Sequence, residues 1–174
     1  MNFEDFEEMN FVDSRKTKDL LDFEVDLIIT SPPYADLKDY GHDDQIGLGQ
    51  TYDEYMDDMI QVFDGATQYL ADNGSMWVVI DTYKRKGDTK MLPFKFAERV
   101  KDDLDMKLRD IIVWDKTRTL PWTRKGEMRN VFEYILVFSK TDDLKFRVDR
   151  VRETDTLKDY WIKYPERYHP KGKV

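Results

Sequence analysis

Val25-Asp26-Leu27-Ile28-Ile29-Thr30-Ser31-Pro32-Pro33-Tyr34 decides the fold of this chain. The apolar, β-branched run stops abruptly at two prolines. It therefore reads as a buried strand over residues 25–30 that delivers a rigid loop at its carboxyl end. In open α/β sheets, ligands bind in the crevice outside the carboxyl ends of the strands. The loop also has unusual hydrogen-bonding chemistry. Neither proline carries a backbone N–H, so Ser31, Pro32 and Pro33 present carbonyls and one hydroxyl, with few competing donors and a fixed φ at each proline. Tyr34 then adds a planar ring. Acceptors beside a stacking surface suit a flat ring bearing an amino group, and a nucleobase is such a ring. A randomly placed Ser-Pro-Pro-Tyr is more simply a turn; its position directly after a strand raises the functional reading.

Working outward, the pattern predicts an α/β domain with about four strands and flanking helices. Thr51 and Glu54 have the spacing of a capping box. The helix they open is expected to reach about Ala71, with Tyr52, Tyr55, Met56, Met59, Ile60, Phe63, Ala66 and Leu70 on one face. Asn73-Gly74 reads as its left-handed cap. Met76–Ile80 follows as a continuous apolar strand, expected to be covered on both faces. Pro93 suits the first turn of a second helix, roughly residues 93–104, with Phe94, Phe96, Ala97, Val100 and Leu104 inward. Leu108–Trp114 and Val131–Phe138 read as two further strands, joined by a connection too long for a tight hairpin. After Ser139 the character changes: residues 141–174 are charged and carry Tyr160, Trp161, Tyr164 and Tyr168 with little periodicity.

At 174 residues the chain has one domain's worth of sequence, and it contains no cysteine. Disulfides and thiolate metal sites are thereby excluded. Covalent attack on a pyrimidine ring by a cysteine thiolate is excluded too, whereas chemistry at an exocyclic amine needs no such adduct. His42 and His169 are isolated, so no metal site is expected. No apolar stretch approaches a membrane span, and the acidic start is unlike a signal peptide, which points to the cytoplasm. The net charge of −8 is awkward for a nucleic-acid binder, but it is unevenly spread. Residues 1–60 carry 17 acidic and 4 basic side chains, the remainder 19 and 24. The cations gather in two expected loops, Lys84-Arg85-Lys86 through Lys90 after the second strand, and Lys116, Arg118, Arg124, Lys125 and Arg129 between the last two strands, with Trp122 among the latter. Phosphate contacts are expected from Lys84, Arg85, Arg118, Arg124, Lys125 and Arg129, with Trp122 interleaved.

Taken together these segments resemble the amino-group DNA methyltransferases that modify cytosine N4 or adenine N6, in particular the permuted class whose sequence begins near the catalytic loop. In that family the loop reads Ser/Asn/Asp-Pro-Pro-Tyr/Phe/Trp, and Ser31-Pro32-Pro33-Tyr34 matches it residue for residue. Phe11-Val12-Asp13-Ser14 resembles the segment before the catalytic strand that places an acidic residue near the cofactor adenine. Gln45–Leu48 and Tyr52–Tyr55 resemble the loop-to-helix passage, Leu70–Ile80 the next helix end, turn and strand, and Arg109–Lys116 with Phe132–Lys140 the last two strands. The family's Phe-x-Gly-x-Gly cofactor loop is not among these residues.

The resemblance implies a partial S-adenosylmethionine-dependent methyltransferase sheet. Residues 1–140 would form the catalytic half, and residues 141–174 the start of a target-recognition region or a tail. It implies Ser31, Pro32, Pro33 and Tyr34 as catalytic residues acting on a base flipped from duplex DNA. Asp13, Thr30 and Ser31 would lie on the cofactor side, and Ser31 favours cytosine N4 over adenine N6. The strand at residues 25–29 should be an exposed sheet edge. It would take either a complementary chain carrying the Phe-x-Gly-x-Gly loop or a second copy of itself, and the lone chain should methylate little. Rival expectations are a non-catalytic nucleic-acid-binding or assembly module of the same fold, and an RNA or protein-glutamine methyltransferase with a related loop.

Overall fold

The computed structural model describes residues 13–18, 22–117, 126, 128–147, 150, 162 and 163. In chain order these form β1 (Val25–Thr30), α1 (Tyr52–Thr67), β2 (Leu70–Ile80), β3 (Tyr83–Arg85), β4 (Asp88–Lys90), α2 (Leu92–Leu104), β5 (Lys107–Asp115) and β6 (Phe132–Ser139). A 3₁₀ turn at Ser14–Lys16 precedes β1. The main sheet has the order β1-β2-β6-β5, and β3-β4 is a separate hairpin. β1 and β2 are parallel, which demands a crossover, and α1 supplies it. β6 runs antiparallel to both β2 and β5.

The core lies between one face of this sheet and the two helices. Met76, Val78 and Ile80 of β2 alternate with half-buried Trp77 and Val79, and Leu136 and Phe138 of β6 are fully buried beside them. The α1 stripe meets this face as its spacing predicts, with Tyr55, Met56, Met59, Ile60 and Phe63 buried. Phe63 packs edge-on against Phe96 of α2 with ring centroids 4.9 Å apart, and Phe96 meets Phe138 at 6.3 Å. Each such pair contributes about 0.5–1.5 kcal/mol beyond its buried area. Of the α2 residues expected inward, Phe96, Ala97 and Val100 are buried; Phe94 and Leu104 are half-buried.

Four expectations need correction. α1 ends at Thr67, not near Ala71, and Leu70 is already the first residue of β2. Asn73-Gly74 is no helix cap: the left-handed residues do not include it, and it lies inside β2. Gly74 is there for a different reason. The β1–β2 register jumps from Val25↔Leu70 to Leu27↔Ser75, so β2 bulges around Gly74. A Cβ at that position would sit 2.9 Å from the Asp26 carbonyl oxygen and 2.8 Å from Leu70 Cδ1. Finally, β2 is fully covered on one face only among the described residues. On the other, the Trp77 ring meets Phe146 at 6.0 Å, and β1, read from its apolar run as a buried strand, is an edge strand with no buried residue, Leu27 and Ile29 being 50% and 65% exposed.

Candidate functional site at the carboxyl end of the sheet

β1 hands the chain directly to Ser31-Pro32-Pro33-Tyr34, and the loop is held from beneath. Tyr55 lies on the buried face of α1, and its hydroxyl donates to the Pro33 carbonyl at 2.7 Å. The Pro33 acceptor is thereby occupied. The Pro32 carbonyl takes no hydrogen bond among the described residues. Ser31 is exposed, with its hydroxyl 3.5 Å from that of Tyr34, which in turn is 3.5 Å from the Val79 carbonyl of β2. The loop thus leaves two acceptors open, the Ser31 hydroxyl and the Pro32 carbonyl, beside a half-buried ring. Burial pushes the Tyr34 hydroxyl up to about 12, so it stays protonated at neutral pH.

The chain turns sharply after Tyr34. The Leu37 N–H donates to the Tyr34 carbonyl at 3.1 Å, and Ala35 takes a left-handed φ of 50°. Gly47 makes this turn possible. A Cβ there would lie 2.3 Å from the Ala35 carbonyl oxygen, and its own φ of 97° suits glycine alone.

Asp13 reaches the same end of the sheet from the segment before β1. Arg15 clamps it at 3.0 Å and also bonds Asp58 of α1 at 2.9 Å. Hydrogen bonding to the Arg15 side chain and backbone holds the Asp13 carboxyl below its usual range. Asp13, Arg15, His42, Gln45 and Ile46 line a cavity of about 430 Å³ together with Pro33. The structure therefore brings the expected acidic residue and the proline loop to one cavity. Thr30 closes β1, paired with Val78.

At the end of β2, Asp81 is buried and accepts from the Thr82 N–H at 2.7 Å and from Asn130 Nδ2 at 2.6 Å. Burial pushes its carboxyl up, and the Thr82 N–H and the Lys116 charge pull part of the way back. Lys116 itself pairs with Glu133 at 2.5 Å. The strand ends of β2, β5 and β6 are thus tied together by polar contacts beside Tyr34.

The expected phosphate contacts divide. Lys84 and Arg85 are not in a loop but in β3 of the hairpin, where Arg85 forms an ion pair with Asp36, two residues past Tyr34. Arg129 is exposed, just before the Asn130 clamp. Arg118, Trp122, Arg124 and Lys125 lie outside the described residues, as do Tyr160, Trp161, Tyr164 and Tyr168. Tyr55 and Gly47 were not expected at the site. A tyrosine on a buried helix face needs a partner for its hydroxyl, and that need was the one signal available for Tyr55.

A family model described as DNA methylase matches residues 25–173. Among curated relatives, the type II methyltransferase M.MwoI of Methanothermobacter wolfeii is 37% identical over 128 residues, covering 71% of this chain and 19% of that protein. M.SfiI of Streptomyces fimbriatus, also a type II methyltransferase, is 28% identical over 150 residues, 76% of this chain and 35% of its own. Two solved structures share the fold. The cytosine-N4-specific PvuII DNA methyltransferase superposes with a TM-score of 0.60 at 20% identity, over 76% of this chain and 49% of that one. A DNA modification methylase of Thermus thermophilus, in complex with S-adenosyl-L-methionine, gives 0.57 at 23% identity, over 78% and 56%. The chain thus spans about half of each structure and a smaller share of both relatives. With most of its length matched and the proline loop seated at the end of β1, this chain belongs to the N6/N4 DNA methylase family.

Proposed function

We propose that this chain supplies the catalytic and target-facing part of an S-adenosylmethionine-dependent DNA amino-methyltransferase, with cytosine N4 favoured and adenine N6 the alternative. In this reading residues 1–140 are the catalytic half, and residues 141–174 begin the target-recognition region or a tail. The observation that carries it is the pair of open acceptors at Ser31 and Pro32, beside the Tyr34 ring at the mouth of the sheet.

The exocyclic nitrogen of a base is a poor nucleophile because its lone pair is delocalised into the ring. Hydrogen bonds from its two N–H groups to Ser31 Oγ and the Pro32 carbonyl favour a pyramidal nitrogen with a directed lone pair. These acceptors are fixed beforehand by the prolines and by Tyr55, so they stabilise the positive charge that develops on the nitrogen without reorganising. The Tyr34 ring stacks on the base, which must leave the duplex to reach it. Ser31 is a weak base, so the proton leaves to water after transfer.

The residues present fit one side of the cofactor. The cavity beside Pro33 offers Asp13 from one wall, and Thr30 and Ser31 precede Pro33 in the chain at the end of β1. When bound, S-adenosylmethionine supplies an electrophilic methyl on a sulfonium. The other edge of β1 has no strand against it among the described residues. Its unpaired backbone groups, with Leu27 and Ile29 beside them, suit a strand from a complementary segment carrying the Phe-x-Gly-x-Gly loop, or a second copy of this chain. Lys84, Arg85 and Arg129 would meet duplex DNA, joined by Arg118, Trp122, Arg124 and Lys125.

Isothermal titration of the chain with S-adenosylmethionine, alone and with the complementary segment, tests this. Weak binding alone and restored methylation of duplex DNA by the pair are expected. Micromolar binding by the lone chain, or no methylation by the pair, overturns the reading.

A further inference from the structure

Asp13 enters the site from the segment before β1, and Tyr34 from the loop after it. A chain of polar contacts joins the supports of the two. At its centre stands Arg15, the only arginine before Arg85. Arg15 Nε donates to Asp13 Oδ1 and Nη2 to Asp13 Oδ2, both at 3.0 Å, while Nη1 donates to Asp58 Oδ2 of α1 at 2.9 Å. The same Asp58 oxygen accepts from Gln50 Nε2 at 2.8 Å. Gln50 Oε1 in turn accepts from the Gly47 N–H at 2.6 Å. Gly47 is buried against the Ala35 carbonyl, where no Cβ fits, and Ala35 directly follows Tyr34.

A guanidinium suits the centre of such a chain. Its planar fork grips one carboxylate with two N–H groups and presents a third nitrogen to the next, a fixed geometry that a lysine ammonium lacks. Arg15, Asp58 and Gln50 are all half-buried, so water competes with their bonds less than at an open surface. Arg15 lines the cavity of Asp13 and Pro33, whereas Asp58 and Gln50 do not. The segment that carries Arg15 is also tied to the molecule through its backbone. Gln61 Nε2 donates to the Arg15 carbonyl at 3.3 Å, and the Tyr69 hydroxyl to the Thr17 carbonyl at 2.5 Å. What the guanidinium adds is therefore orientation.

We propose that Arg15 is a positioning residue for both sides of the site: it orients the Asp13 carboxylate toward the cofactor and, through Asp58 and Gln50, holds the Gly47 turn against which Ala35 and Tyr34 are set. This rests on the methyltransferase reading above and adds to it one shared support for the cofactor contact and the base-stacking ring. Without the guanidinium, Asp13 and Asp58 are like charges with no cation between them, and both lose the contact that fixes their rotamers. Gln50 then loses the oriented acceptor that aims its own carbonyl at Gly47.

Two measurements test this. The first is amide hydrogen exchange on the chain by itself. Arg15→Gln should speed exchange across residues 35–49 several-fold and leave the amides of α2 and β6 as in the parent. Arg15→Lys keeps the charge without the fork and should resemble Arg15→Gln. The second is calorimetric binding of S-adenosylhomocysteine, the demethylated cofactor, to the chain with its complementary segment. Arg15→Gln and Gln50→Ala should each weaken binding about three- to tenfold, and the double variant no more than Arg15→Gln alone, because both cut one chain. Unchanged exchange at residues 35–49 in Arg15→Gln, parent-like exchange in Arg15→Lys, or additive losses in the double variant overturns the inference while methylation by the parent leaves the enzyme reading standing. Faster exchange throughout α2 and β6 marks a merely structural residue and overturns it too. A paired parent that neither binds the cofactor nor methylates DNA overturns the enzyme reading and, with it, the cofactor half of this inference; hydrogen exchange still decides the Gly47 half.

Discussion

Tyr55 shows how much of the loop's geometry is set by one side chain lying beneath it. Its hydroxyl occupies the Pro33 carbonyl and so directs the open acceptors to Ser31 and Pro32. Tyr55→Phe should cost about 1 kcal/mol of stability, read from the urea midpoint. Methylation should fall more than folding does, because the carbonyl ladder is free to tilt. Asp81 gives a pH signature. Burial raises its folded-state pKa above the ordinary 3.8, so the folded chain holds this proton more tightly than the unfolded one. The stability belonging to the neutral acid is complete below about pH 4 and is lost as pH rises through the raised folded value. Asp81→Asn should remove that slope. Denaturant midpoints of parent and variant should therefore diverge from about pH 4 upward, with the parent falling. Residues of this kind were only half legible beforehand. Ser31-Pro32-Pro33-Tyr34 carries its meaning locally, in missing N–H groups and fixed φ values. The Tyr55–Pro33 bond joins residues 22 positions apart, and no local pattern specifies it.

Among the elements, α1 begins as its sequence demands. Both bonds of its capping box form, from the Glu54 N–H to Thr51 Oγ1 at 3.3 Å and from the Thr51 N–H to Glu54 Oε2 at 2.8 Å. Thr51→Ala should destabilise the chain by about 1 kcal/mol, measurable by thermal or urea unfolding. The end of α1 was illegible for a physical reason. Leu70 continues the helical stripe, and Asn-Gly suits a left-handed cap equally well, so periodicity and turn chemistry agreed on the wrong boundary. Tertiary contact decided it: Gly74 is needed where β2 passes the Asp26 carbonyl. The β3-β4 hairpin was hidden likewise. Lys84 to Lys90 shows no apolar alternation, and the ladder forms with Lys86-Gly87 at its turn, both at positive φ.

At the scale of the whole molecule, the strand count of the main sheet, the order of its elements and the helix faces followed from hydrophobic patterning. The openness of one sheet face did not, because a continuous apolar strand looks the same whether one or both sides are covered. β1 is the place where this matters. Ile29→Lys puts a charge on an apolar position 65% exposed at the sheet edge. If β1 takes up a second copy as proposed, the variant should raise the monomer fraction in sedimentation velocity without lowering the melting temperature, since edge lysines discourage strand addition. Weaker pairing with a complementary segment should accompany it.

For the proposed methyl transfer, the two open acceptors at Ser31 and Pro32 also bear on the fate of the product. A monomethylated amine retains a single N–H, so one acceptor that was satisfied by the unmodified base is stranded without a donor. The stranded acceptor weakens binding to the extent that bound DNA takes it out of water. The modified strand should consequently be held less tightly than the unmodified one, easing departure and discouraging a second methyl. Competition between fully modified and unmodified oligonucleotides would reveal that inequality.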